Sequence, residues 1–184
     1  MRIAIILALV AGPVWAETCP QARDISVELS ALFEEARTAS DPASGQAVSG
    51  KMWELWLDAP DDAAQEILDR GMAQRASFDF VGALESFDTL IAYCPDYAEG
   101  YNQRAFVHFL SSNYSDALID LDRALTLSPD HVGAQSGRAL TLMNQGKITA
   151  ARTQMLAAID NNPWLSERAL LADGAPLGPV GEEL

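Results

Sequence analysis

The sequence predicts an all-α solenoid of stacked helix–turn–helix units, on three observations. A proline closes an apolar run at Pro95, Pro129 and Pro163, 34 residues apart both times. Small residues keep the same period, first at Gly71, Ala105 and Ala139 and again at Ala83, Ala117 and Ala151. Bulky residues keep it too, at Phe80, Tyr114 and Ile148 and at Phe87, Leu121 and Met155. A fixed period of this length outranks any local signal, because it marks one supersecondary unit used repeatedly. Two antiparallel helices approach closely only where Gly or Ala faces the partner. The bulky residue at the turn then plugs the open end of the pair, and the second bulky set fills the seam to the next pair. Each proline starts the link to the following unit, since it cannot continue a helix and disfavours helix in the residue before it.

Taken in order, residues 1–16 have the form of a secretory signal peptide. Arg2 is followed by the apolar run Ile3 to Val10 and the small-residue pattern Val14-Trp15-Ala16, with cleavage expected after Ala16. The run is too short to span a bilayer, so no stable membrane anchor is expected after cleavage. Residues 17–60 form an N-terminal helical hairpin. Ile25, Leu29, Leu32, Phe33 and Ala36 recur at helical spacing within 20–40, and Val48, Met52, Trp53, Leu55 and Trp56 within 46–57. The stretch Asp41-Pro42-Ala43-Ser44-Gly45 reads as a break between them. A solenoid needs caps, and this hairpin is expected to cover the exposed face of the first repeat. Residues 61–163 hold the three repeats, approximately 64–97, 98–131 and 132–165. Their helices are expected near 63–77, 81–94, 98–111, 115–128, 132–145 and 148–161, with turns at Phe78-Asp79, Ser112-Asn113 and Gly146-Lys147. A short capping helix over 164–172 should lay Trp164 and Leu165 over the third repeat. The tail 173–184, rich in Gly, Pro and acidic residues, should be mobile.

Over 64–163 these positions resemble the tetratricopeptide repeat (TPR) family. The period is kept without insertion. Arg70, Arg104 and Arg138 stand where the family usually has Leu, and Gln74 and His108 where it usually has Tyr. The resemblance implies a concave surface lined by the first helix of each repeat. It places there Leu68, Met72 and Arg75 from the first repeat, Asn102, Phe106 and Phe109 from the second, and Ser136, Leu140 and Met143 from the third. Each trio steps by three or four residues and so shares one helix stripe independently of the family. Relatives that capture a peptide's terminal carboxylate use Lys, Asn and Arg at positions that carry Leu68, Met72, Gln103, Gly133 and Gly137 here. That two-carboxylate clamp is absent.

Charge excludes one partner class. The chain has net charge −14, which becomes −15 when Arg2 leaves with the leader, and its only lysines are Lys51 and Lys147. Such a surface repels nucleic-acid phosphates. Two cysteines remain after cleavage, Cys19 and Cys94. An even count in an exported chain favours a disulfide, two unpaired thiols being the alternative. In stacked hairpins the starts of first helices and the ends of second helices share one edge, which puts Cys19 and Cys94 together.

The arginine ladder reads as structural: each stem packs and each head finds a carboxylate, Asp120 being a partner for Arg104 or Arg138. His108 reads as a packed residue, and the chain shows no nucleophile elbow, phosphate loop or paired metal ligands. No enzyme activity, cofactor or metal is therefore expected. The function expected is an exported, periplasmic interaction module that binds a peptide or protein partner in the groove, as an adaptor or assembly factor. An architectural subunit that self-associates through the groove is the alternative, with an unrecognised enzyme behind it.

Overall fold

The computed structural model describes residues 18–179, so the expected leader and its cleavage site, like the last five residues of the tail, lie outside it. Among the described residues eight α-helices follow one another: α1 (Ser26–Thr38), α2 (Pro42–Leu57), α3 (Asp62–Ala76), α4 (Phe80–Tyr93), α5 (Ala98–Leu110), α6 (Tyr114–Leu127), α7 (Val132–Asn144) and α8 (Ile148–Asn161). The short helix expected over 164–172 is a 3₁₀ helix over Ser166–Leu171. The chain is an α-solenoid of helix–turn–helix repeats: α3–α4, α5–α6 and α7–α8 pair within repeats, and α4–α5 and α6–α7 between them.

The periodic small residues are the close-packing points. Ala83, Ala105, Ala117, Ala139 and Ala151 are essentially fully buried. Phe87 lies so near Gly71 that a Cβ there would stand 2.5 Å from the ring, which is why the first repeat carries glycine where the others carry alanine. The arginine ladder works as a lattice of steps of sixteen residues. Arg104 grips Asp120 of its own repeat through Nε (2.8 Å) and Nη2 (2.6 Å), and reaches back to Asp88 of the preceding one at 2.6 Å. Arg138 likewise donates to Gln154 at 3.1 Å and back to Asp122 at 2.7 Å, while Arg70 meets Ser86 at 3.3 Å. The Asp120 and Asp88 hydrogen bonds push the Arg104 pKa above its ordinary value, so this cation is fixed in place.

The turns share a backbone requirement that the first repeat meets badly. Phe78, Ser112 and Gly146 occupy equivalent positions with φ of 63°, 60° and 74°. Left-handed backbone costs an L-residue about 1–2 kcal/mol. Phe78 is also 81% exposed, so its ring returns little of that through burial. Phe78→Gly is therefore expected to stabilise the fold by about 1 kcal/mol, read as a higher urea midpoint at unchanged m value.

The N-terminal hairpin departs from expectation most. It does not sit as a lid on the first repeat. Instead α2 packs on α5 and α1 on α8, with Leu29, Phe33, Val48, Met52 and Trp56 forming a core together with Val132 of α7. It crosses the inner face of the solenoid and is fastened at both ends. Near the first repeat the Cys19–Cys94 disulfide holds the lead-in segment, and the Tyr97 hydroxyl donates to the Trp56 carbonyl at 2.7 Å. At the third repeat Arg37 Nε donates to the Asp160 carbonyl at 2.9 Å and Asn162 Nδ2 to Ser49 Oγ at 2.8 Å. Trp164 belongs to this second fastening. It lies across α2, where a Cβ on Gly45 would stand 2.2 Å from its ring, and its indole N–H donates to the Ala36 carbonyl at 2.8 Å.

Smaller differences have local causes. The Asp41-Pro42 break is the N-terminus of α2: Asp41 accepts from the Ser44 amide and hydroxyl and from the Ala43 amide, holding its carboxyl below the usual range, and Pro42 takes the first helical position. Pro20–Ile25 is non-helical, running between the disulfide and α1. The described part of the tail folds back, with Leu177 fully buried against Ala139, Leu142, Ala151 and Met155. One leucine amid Gly and Pro suffices because α7 and α8, ending the stack, leave an apolar site for it.

Candidate binding groove

The first helices α3, α5 and α7 line the inner face, and α2 covers part of it. What remains open is a cavity of about 340 Å³. Its wall takes Met72 and Arg75 from α3, Asn102, Phe106 and Phe109 from α5, and Ser136 and Leu140 from α7. Two positions of the expected stripe do not reach it. Leu68 is fully buried beside Phe87 in the first-repeat core, and Met143 is half-buried against the core of the third. Stripes of three- and four-residue steps drift around a helix, and these two lie at ends where the drift turns them toward the second helix of their repeat.

The remaining wall lies outside the expected stripe. Trp53 and Leu57 of α2 form one side, with Gln103, Thr141 and Glu167 between them and the stripe. Glycines carried the signal: a Cβ on Gly133 would stand 2.4 Å from the Trp53 ring, so α7 is bare where α2 lies on it. Two tryptophans three residues apart on a single hairpin also exceed what α1 alone covers.

Behind the wall lies a buried polar cluster built on Glu99 and His131. His131 is the N-cap of α7, and its Nδ1 accepts from the Ala134 amide at 3.2 Å. An accepting Nδ1 carries no proton, so Nε2 does, and it donates to Glu99 Oε2 at 2.7 Å. Asn102 and Gln103 donate their side-chain amides to the same carboxylate. The His131 ring stacks on Trp56 at 4.4 Å and 14°, with Trp53 edge-on at 5.9 Å. Burial, then the Glu99 charge, pushes the Tyr97 phenol well above its usual range, so it stays a donor to Trp56. The cluster fixes α2, α5 and α7 together and so sets the width of the groove.

Phe106 and a half-buried Arg75 stand together at the opening. Phe106 is 44% exposed, and the Arg75 guanidinium sits 4.5 Å over its ring. Phe109 differs: it packs into the core under α6 and against Tyr114 at 5.7 Å. His108 lies away from the opening, with Nε2 3.9 Å from Asp120.

No family model matches the chain. A TPR repeat-containing protein of Rhizobium etli is 30% identical over 121 residues, covering 64% of this chain and 58% of that protein. A Tetratricopeptide repeat protein 36 homolog of Nematostella vectensis is 38% identical over 76 residues, 41% of each chain. Over its repeats the chain is similar to TPR proteins. The chain spans about half the length of these curated relatives. Solved TPR structures share its fold. The first TPR of Spaghetti (RPAP3), bound to the HSP90 peptide SRMEEVD, superimposes with a TM-score of 0.56 at 17% identity, over 58% of this chain and 84% of that one. The TPR2B domain of yeast Sti1, in a pHsp70 complex, gives 0.53 at 20% identity, over 58% and 86%. A MamA double mutant gives 0.51 at 16% identity, over 78% of each chain.

Proposed function

We propose that this protein is an exported interaction module that binds a peptide segment of a protein partner in the groove left open beside α2, and serves as an adaptor or assembly factor in a periplasm. The observation that carries the reading is the cavity itself. It is largely apolar, bounded by three repeats and α2, and presents Phe106 at its opening. Two solved neighbours are complexes with an HSP90 peptide and with pHsp70, which supports a peptide or protein as the partner. The Cys19–Cys94 disulfide favours an oxidising compartment, and among the described residues no helix is long and apolar enough to cross a membrane.

The test is photo-cross-linking in the native envelope from a reactive residue replacing Leu140, on chains whose amino terminus sequencing places at Glu17. Phe106→Ala is expected to lose most of the captured partner, since a central aromatic anchor contributes about 2 kcal/mol or more to such an interface. Ile119→Ala, at an exposed residue of α6 outside the groove, should change nothing. Phe106→Ala should also melt near wild type, whereas Phe109→Ala should melt earlier because its ring is part of the core. Normal capture by a folded Phe106→Ala protein would rule out the groove. A cross-link to a second copy of the chain would favour the self-associating alternative.

A further inference from the structure

The polar atoms of the groove define the segment it takes, on the premise that the groove binds a peptide. Arg75 forms no ion pair with any described residue, and its Nε is buried without a hydrogen-bond partner. Glu99 is near enough to act on its charge but accepts from His131, Asn102 and Gln103 instead. Every other arginine on the inner helices, Arg70, Arg104 and Arg138, is hydrogen-bonded to a second helix. Arg75 alone on those helices is held against an aromatic ring with its donors unused. A second orphan lies in the same cavity wall: Gln103 donates its amide to Glu99, and its Oε1 is buried without a donor. Leaving buried polar groups unmade is costly, about 1–3 kcal/mol each and more when charged. A binding partner that supplies both would recover that cost.

We propose that the groove receives a peptide segment in which an acidic side chain stands beside a large apolar one: the carboxylate is taken by Arg75, a peptide N–H by Gln103 Oε1, and the apolar side chain by the cavity next to Phe106. The cavity, near the lower end of the ~300–1,000 Å³ usual for ligand sites, accommodates one or two side chains rather than a long stretch. The chain's strong net negative charge disfavours a highly acidic partner at long range, so one carboxylate at Arg75 is what the site selects. Glu167, on the same wall and hydrogen-bonded by Ser166, opposes a second one.

The experiment uses the mature, oxidised chain and a panel of fluorescein-labelled, acetylated and amidated heptapeptides. Each has Leu, Ile, Phe or Trp at its centre and either Glu or Gln beside it, and affinity is read by anisotropy. The Glu peptides are expected to bind about tenfold more tightly than their Gln counterparts, the scale of one charge-assisted hydrogen bond. Arg75→Met should bring the Glu peptides down to the Gln level while leaving the Gln peptides unchanged, Arg75→Lys should restore part of the preference, and Phe106→Ala should weaken both classes. Because the Glu-to-Gln comparison is made on the unaltered protein, it does not depend on any variant folding. Equal affinity of both classes, still lost in Phe106→Ala, overturns the carboxylate site and leaves the groove as the peptide site. The same peptides are also made without the C-terminal amide; tighter binding only in that free-carboxylate form assigns Arg75 to a chain terminus and overturns the internal acidic residue. No saturable binding of any peptide at about 1 mM overturns the groove as a peptide site as well.

Discussion

His131→Ala is expected to destabilise the fold by about 3 kcal/mol, because the buried Glu99 carboxylate loses the ring donor at 2.7 Å and keeps only the Asn102 and Gln103 amides. His131 and Glu99 are both essentially inaccessible, so water cannot replace the ring without opening α2. The same substitution removes the N-cap of α7, a loss of about 0.5–2 kcal/mol in its own right, and leaves Trp56 without its stacking partner. The parts can be separated. His131→Asn restores a good N-cap but neither the stack nor the bond to Glu99, so it should recover only about 1 kcal/mol. Urea unfolding followed by tryptophan fluorescence checks both, since Trp53 and Trp56 border the site. A loss of less than about 1 kcal/mol in His131→Ala would mean the cluster relaxes around the gap, against the packing argument.

The repeats were legible because each unit buries its small residues against an identical neighbour, so one packing rule is written three times. Ala83, Ala117 and Ala151 mark the same place in three helix pairs, and the expected partner of Arg104, Asp120, is there at 2.6 Å. The hairpin was legible as two amphipathic helices, but the choice between a lid on the first repeat and an inner layer was not. Its apolar stripe requires burial without naming the surface that provides it. That surface exists only once three repeats have stacked and curved, and Trp164, more than a hundred residues downstream of α2, completes it. The same non-locality hid half of the groove. Stripe spacing on α3, α5 and α7 finds side chains that face inward, but whether inward means open space or Trp53 depends on where α2 comes to rest. His131 could be recognised only as a histidine before a helix, since its partner Glu99 lies 32 residues earlier.

Replacing Cys19 and Cys94 together by serine is expected to lower stability by up to roughly 4 kcal/mol, the chain-entropy value for so long a loop. The bridge joins residues 75 apart, with Cα atoms 5.2 Å from one another, and Cys94 is the C-cap of α4 and nearly fully buried. The unfolded chain therefore gains freedom over the whole of the hairpin and the first repeat when the bridge is absent. Cys19 precedes α1 by a non-helical segment, so the disulfide fixes the path into the hairpin rather than the hairpin itself. Trp164, Arg37 and Asn162 hold the opposite end independently. Hydrogen exchange on the double variant should accordingly show lost protection where the lead-in segment passes into α1 near Ser26, with α1 and α2 still protected on the inner face. A free-thiol assay on the unfolded, unreduced parent should find none. Two free thiols would show that the chain leaves the pair reduced, and uniform loss of protection through α2 would show that the disulfide, not the contacts at the third repeat, keeps the hairpin in the groove.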